Sequence, residues 1–248
     1  MIHIKSEREI EILRKSNRIV ARVLQHLKEA VKPGVTGKEL DRTAEKMIRQ
    51  MGGIPAFKGY RGYPASVCVS INEQVVHGIP DSRALMEGDI VSLDLGVVYK
   101  GYVGDAAVTV PVGSVDQESK RLLVVAETAL MRGIEQAKEG SRLFDISHAI
   151  QSHVESHGFS VVRDFTGHGI GRQMHEDPQI PNFGIPGTGD RLSAGMVFAL
   201  EPMVNAGDWH VKTMGDGWTV VTADEKRSAH FEHSIAITDG EAEILSAF

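Results

Sequence analysis

An α+β fold of two tandem halves is what this sequence predicts, and three observations carry that reading. Its apolar residues change period along the chain in the order helices, strands, helices, strands. Acidic residues interrupt several runs that otherwise read as buried strand. No low-complexity linker and no residue-level repeat divides the 248 residues. A single domain over residues 1–248 is therefore expected, with halves at roughly 1–113 and 114–248.

Ser6 and Glu9 stand in capping-box spacing ahead of Ile10, Leu13, Val20, Val23, Leu24 and Leu27, which share one helical face until Lys32-Pro33-Gly34 stops the pattern. Thr36 and Glu39 repeat the box for a shorter helix whose apolar positions are Leu40, Ala44, Met47, Ile48 and Met51, ended by Gly52-Gly53. A turn-rich stretch leads to β-rich segments at 66–71, 90–99 and 102–110, the last two joined by Lys100-Gly101 as a hairpin. Helical patterns follow at 117–138 and 143–157, ended by Gly140 and Gly158. Beyond them short strands are expected near Val161 and at 197–204, 218–222 and 231–238, separated by Pro/Gly-rich loops such as 178–189.

With 27 Lys plus Arg against 33 Asp plus Glu the net charge is −6, which argues against a nucleic-acid-binding protein. The 42% hydrophobic and 24% charged composition is that of a globular protein with a sizeable core. No apolar run approaches the ~18 residues of a membrane helix, and Met1 to Arg8 is too charged for a signal peptide, so a cytoplasmic location is expected. One cysteine, Cys68, builds no internal disulfide and no multi-thiolate site. Any metal must bind to oxygen and imidazole.

Asp94 lies within the apolar run Ile90 to Leu95, and a carboxylate there needs a partner. Asp105 follows across the hairpin turn among small neighbours, so two acids on adjacent strands can face each other. Glu201 ends the apolar run from Val197, with Pro202 cutting off ladder pairing, and Glu232 again stands in a β context. Any of these alone reads as a solvated acid. Four converging without cations would repel one another and destabilise the fold, whereas two divalent ions would neutralise them. His168, flanked by Gly167 and Gly169, reads as a ligand loop. Taken together the five residues suit Mn²⁺, Fe²⁺ or Co²⁺, and Zn²⁺ also fits. Two ions roughly 3.5–4 Å apart activate water and polarise a carbonyl, the chemistry of amide hydrolysis.

Other catalytic arrangements fail on inspection. There is no Gly-x-Ser-x-Gly elbow, Gly37-Lys38 runs into Glu39 where a phosphate loop needs Ser or Thr, and His175-Glu176 has Gln179 where a zincin helix needs its second His. Prolines 178, 181 and 186 argue against a helix after the glycines around His168, so that loop is no phosphate cradle. Cys68 between valines reads as a small strand residue rather than a nucleophile.

The constellation and its order resemble the type I methionine aminopeptidases in their short bacterial form, over nearly the whole chain. The resemblance rests on Lys32-Pro33-Gly34-Val35-Thr36, the run Ser66 to Glu73, His77-Gly78-Ile79-Pro80, the run Glu87 to Val91, Gly101 to Asp105, Gly167 to Gly171, Glu201-Pro202 and Phe231-Glu232-His233. It implies the pita-bread fold, two pseudo-symmetric halves around a dinuclear site. By resemblance Asp105 and Glu232 bridge both ions, His168 and Glu201 complete one, Asp94 binds the other, and Glu201 also accepts and shuttles the proton of the attacking water. His175 matches the histidine that steadies the tetrahedral oxyanion, and His77 the one near the scissile nitrogen. Tyr60, Cys68, Met174 and Trp218 match the slot for the methionine side chain. Met174 stands where many relatives carry an aromatic residue, and Phe57 and Val76 fall at positions that vary.

The resemblance further implies substrates whose second residue is small, the N-terminal peptides of nascent chains. Only 31 positions (232 − 201) separate Glu201 from Glu232, too few for the helical insertion of the type II form. Rival readings are an X-Pro aminopeptidase or prolidase, which usually carries a further N-terminal domain, and a metal-free peptide-binding scaffold of the same fold. All five ligand positions are filled, which favours the enzyme. A monomer is expected, and Lys212, Lys226 and Arg227 are basic loop residues for a contact with the ribosome near its exit tunnel.

Overall fold

The computed structural model describes residues 2–247 of the chain. Helices α1 (Glu7–Ala30) and α2 (Gly37–Gln50) open the first half. The Glu9 carboxylate accepts from the backbone N–H and the hydroxyl of Ser6, both at 2.9 Å, and Glu39 accepts from the amide of Thr36 at 2.8 Å, so orphan donors at both helix starts are satisfied. Then come β1 (Ile54–Pro55), β2 (Cys68–Ile71), β3 (Gln74–Val76) and the hairpin of β4 (Ile90–Tyr99) and β5 (Tyr102–Pro111). At its turn Lys100 and Gly101 take φ of 49° and 80°, the left-handed pair that a two-residue connection requires.

The second half begins with α3 (Gln117–Gln136) and α4 (Leu143–Ser156). It continues through β6 (Ser160–Val161), β7 (Thr166–Gly169), β8 (Glu176–Pro181), β9 (Val197–Leu200) and β10 (Met203–Asn205). The chain closes with β11 (Val211–Thr213), β12 (Val220–Thr222), β13 (Ser228–His230), β14 (Glu232–Ala236) and β15 (Glu243–Ile244). One nine-stranded sheet runs through both halves in the order β1-β4-β5-β14-β9-β7-β8, with β2 on β4 and β15 on β14. Its named pairs are antiparallel, and β5 with β14 forms the seam between the halves.

Three expectations are corrected. Residues 176–181 are strand, not loop: Pro178 and Ile180 point inward while Asp177 and Gln179 face water, and β8 is the last strand of the sheet order, where proline's missing N–H costs no ladder bond. His168 sits on β7, not in a loop, because its glycines fit a tightly packed strand. The expected strand at 197–204 is two strands broken at Glu201-Pro202.

Helix α1 lays its apolar face, including Leu13, Val20, Val23, Leu24 and Leu27, across β4 and β5. Each such leucine or valine, taken fully from water, contributes about 1.5–3 kcal/mol. The backbones approach tightly at Gly104, where a Cβ would stand 2.7 Å from the Asn17 amide nitrogen and 2.8 Å from the carbonyl carbon of Ser16. That approach brings the Asn17 side-chain oxygen to the backbone N–H of Asp105 at 3.2 Å. Helices α3 and α4 pack on each other and back the second half.

Candidate metal centre

Sheet register explains why residues far apart in sequence meet. Asp94 pairs with Cys68 on one side and Ala107 on the other, and Ala107 pairs in turn with Glu232. The next row holds Gly96 opposite Asp105, then Ser234, whose hydroxyl donates to the Asp105 carbonyl at 2.7 Å, then Ala199 and His168. Positions two apart on a strand share a face, so both rows project from the same side of the sheet. Asp94 and Asp105 are thus diagonal neighbours on adjacent strands. Gly96, Ala107, Ala199 and Ser234 are the small residues between the candidate ligands, and they leave open the space that larger side chains would fill.

That space is a cavity of about 300 Å³, and Asp94, Asp105, His168, Glu201 and Glu232 all line it. Ligand atoms of Asp105, His168 and Glu232 lie within 4.8 Å of one another. The His168 Nε2 is 3.5 Å from a Glu201 oxygen, and its Nδ1 is 3.0 Å from the Gly169 carbonyl. With the ring proton donated to that carbonyl, the Nε2 lone pair faces the carboxylates.

Burial pushes the carboxyls up, Asp94 to about 7 and Glu201 to about 8, and raises Asp105 and Glu232 well above the ordinary range. It pulls His168 down to about 4. Asp94 Oδ1, Asp105 Oδ1 and Glu232 Oε1 are buried without a hydrogen-bond partner. Orphaned carboxylate oxygens beside an imidazole lone pair fit hard or borderline divalent cations, which would supply the charge those oxygens lack.

Every other residue expected at the site also lines the cavity: His77, His175, Tyr60, Cys68, Met174 and Trp218. The Tyr60 hydroxyl is 2.9 Å from His175 Nδ1, the two rings stack at 5.6 Å, and His175 lies 4.4 Å from the His168 ring. His77 has a left-handed backbone, φ 60°. Its neighbour Gly78 anchors it: a Cβ there would meet the Val69 carbonyl at 2.3 Å, and the Gly78 carbonyl accepts from Val69 at 2.9 Å and from the Tyr63 hydroxyl at 2.8 Å. Burial holds His77 down to about 4, a neutral imidazole at pH 7. The Cys68 thiol is buried and pushed up, so it packs rather than reacts.

Sequence reasoning missed His230, fully buried with its Nε2 3.6 Å from Glu201 Oε2, and the aromatic wall of Tyr63 and Phe165. Phe165 lies edge-on to His77 at 5.6 Å and Tyr63 edge-on to Trp218 at 5.1 Å. A signal existed for Thr166, which alternates with His168 on β7. No periodic pattern marks His230. Of the basic residues expected in loops, Lys212 is on β11, and Arg227 is held internally by Asp116, Ser119 and the Gly88 carbonyl.

A sequence model described as metallopeptidase family M24 matches residues 11–239. The chain is 54% identical over 246 residues to methionine aminopeptidase 1 of Bacillus subtilis, covering 99% of both chains, and equally to a methionine aminopeptidase of Clostridium perfringens. A crystal structure of methionine aminopeptidase from Thermotoga maritima superposes with a TM-score of 0.99 at 50% identity, covering 100% of both chains. The prolidase of Pyrococcus furiosus shares the fold, with a TM-score of 0.81 at 23% identity over 99% of this chain and 65% of its own. These likenesses confirm the expected pita-bread architecture. Sheet, cavity and sequence agree, and the chain belongs to metallopeptidase family M24.

Proposed function

We propose that the chain is a methionine aminopeptidase that removes the first residue from the N-terminal peptides of nascent chains whose second residue is small. The observation that supports it most is the pairing of an uncompensated carboxylate floor with an apolar wall in one cavity. Asp94, Asp105, His168, Glu201 and Glu232 would hold two divalent ions, which charge balance against four carboxylates favours; Mn²⁺, Fe²⁺, Co²⁺ and Zn²⁺ suit the donors. When bound, such ions supply Lewis acidity and make water acidic enough to deprotonate near neutral pH.

The remaining steps belong to side chains. Glu201, half-buried beside His168 and His230, takes the proton of the attacking water and passes it to the leaving amine. When the Tyr60 phenol donates to His175 Nδ1, the imidazole proton sits on Nε2, the atom left to donate to the developing oxyanion. His77, neutral and walled by Phe165 and Trp218, faces the leaving nitrogen. Tyr60, Cys68, Met174 and Trp218 exclude water around an unbranched thioether. We place the whole activity in one domain of two halves, 1–113 and 114–248, acting as a cytoplasmic monomer. Exposed Lys212 and Lys226 offer positive charge to the ribosome near its exit tunnel, and salt-sensitive co-sedimentation tests that contact.

Hydrolysis of Met-Ala-Ser by chelator-stripped protein, with each metal restored under reducing, oxygen-free conditions, tests the activity. Free methionine released only with metal supports it. Cleavage of Ala-Pro peptides instead, or release of methionine without metal, overturns it.

A further inference from the structure

The loop that carries Met174 and His175 into the cavity is held from behind by the other end of the chain. Lys5, in the segment before α1, is 4% exposed, and lysine is almost never buried to that degree without a partner. Its ammonium donates to Glu176 Oε2 at 2.8 Å. The other oxygen, Glu176 Oε1, accepts from the backbone N–H of Gln173 at 3.1 Å, which closes the loop from 173 to 176 around His175. Gly171 is shaped for this contact, because a Cβ there would stand 2.7 Å from Glu176 Oε1 and 2.8 Å from Lys5 Cε. Backbone bonds fix both sides of the tie: Lys5 N–H donates to the Gly195 carbonyl at 2.8 Å, and the Gly171 carbonyl accepts from Val103 at 2.8 Å.

His175 is therefore gripped twice, by the Tyr60 hydroxyl on its ring and, through its chain neighbour Glu176, by Lys5. The same side chain lines both the main cavity and a second one bounded by Lys5, Glu9 and Glu176. The ion pair thus lies in the cavity that His175 shares on its other side. A pair of charges buried for stability alone is a poor investment, since apolar residues of the same size do as well, whereas a pair that sets one geometry is a known use of such groups.

We propose that Lys5 is a positioning residue for His175, acting through Glu176, so that the segment before α1 sets where the imidazole meets the substrate carbonyl. This rests on the proposed aminopeptidase activity. Losing the tie lets the loop relax, and a displacement of about 1 Å in a catalytic group costs up to ~100-fold in rate.

The test compares wild type, Lys5→Met, Glu176→Gln, Lys5→Arg and His175→Ala, and the pair Lys5→Met with His175→Ala, as full-length metal-loaded protein below its melting temperature. Steady-state release of methionine from Met-Ala-Ser is followed, with crystal structures of wild type and Lys5→Met. Expected are a fall in kcat of about 10- to 100-fold for Lys5→Met and Glu176→Gln with KM within about twofold, substantial rescue by Lys5→Arg, a shifted His175 ring, and no further loss from Lys5→Met in the His175→Ala background. Glu176→Gln keeps the shape of the loop and reads the same step should Lys5→Met fail to fold. An unchanged kcat in either variant, an unmoved ring, or an equal loss in the His175→Ala background overturns the proposal. Wild type that releases no methionine with any metal overturns the activity itself, and with it the positioning role.

Discussion

Replacing Gly96 with alanine tests whether the wall of the cavity, rather than its carboxylate floor, selects the substrate. Gly96 pairs with Asp105 on the cavity face of β4, and the tips of Phe57 and Met174 rest directly on it. An added Cβ would meet Phe57 Cε1 at 2.8 Å, Met174 Cε at 2.9 Å and Ala56 Cβ at 3.1 Å, where ordinary contact begins at 3.4 Å. Both tips must retreat by about 0.5–0.6 Å (3.4 − 2.9 and 3.4 − 2.8), and away from the sheet means into the cavity. Because the Met174 methyl ends a flexible side chain and the Phe57 ring can tilt about its torsions, the overpacking cost stays near the low end, about 1 kcal/mol, or a Tm lower by about 2–4 °C. A pocket that loses room for one methylene loses about 1–3 kcal/mol of binding, so kcat/KM for methionyl peptides should fall ~10-fold or more, mostly through KM. Thermal melting and steady-state kinetics with Met-Ala-Ser read both quantities on one preparation. A kcat/KM within twofold of wild type, or a Tm drop beyond about 10 °C, would refute the reasoning.

The same change on the opposite face has the opposite profile. Gly104→Ala drives a Cβ into the α1 backbone at 2.7 Å and pulls Asn17 off the Asp105 amide, so about 2–4 kcal/mol of stability should go, seen as a Tm lower by about 4–16 °C. Asp105→Asn keeps the fold but removes one of the four charges facing the ions; metal content per chain and methionine release should both collapse, and full metal content by elemental analysis would contradict the assignment. Glu9, hydrogen-bonded by the Ser6 amide, the Tyr102 hydroxyl and the Ser6 hydroxyl, is held down to about 2. Its folded value lies below its unfolded value of 4.5, so its contribution is complete above pH 4.5 and lost as pH falls toward 2. Glu9→Gln should cost about 1 kcal/mol at pH 7 and flatten the melting profile over that acid window.

Much of the fold was legible because its signals are local. Capping boxes at Ser6 and Thr36 and the turn at Lys100-Gly101 each declare themselves within four residues. The acids of the site were legible for a different reason: a carboxylate inside an apolar strand contradicts its surroundings, and Asp94, Glu201 and Glu232 all do so. What stayed hidden depends on partners remote in sequence. Strands of two or three residues, such as β1, β3 and β13, are too short to show a period and exist because a neighbour supplies their ladder. β8 was masked by its prolines, which only its place at the end of the sheet order makes tolerable. His230 carries no local contradiction, and the tie from Lys5 to Glu176 joins groups 171 positions apart.

The seam between β5 and β14 also governs when the site can exist. Asp94 and Asp105 come from one side of it, and His168, Glu201 and Glu232 from the other, with 138 positions (232 − 94) between the outermost two. The floor forms only when segments from both sides of the seam dock, and closing so long a loop is slow. Metal uptake would thereby be tied to the docking of the halves: divalent ions bound there would stabilise the docked state by mass action. Ion capture would then serve as a stopwatch for the maturation of this chain, reporting the moment at which its two halves first meet.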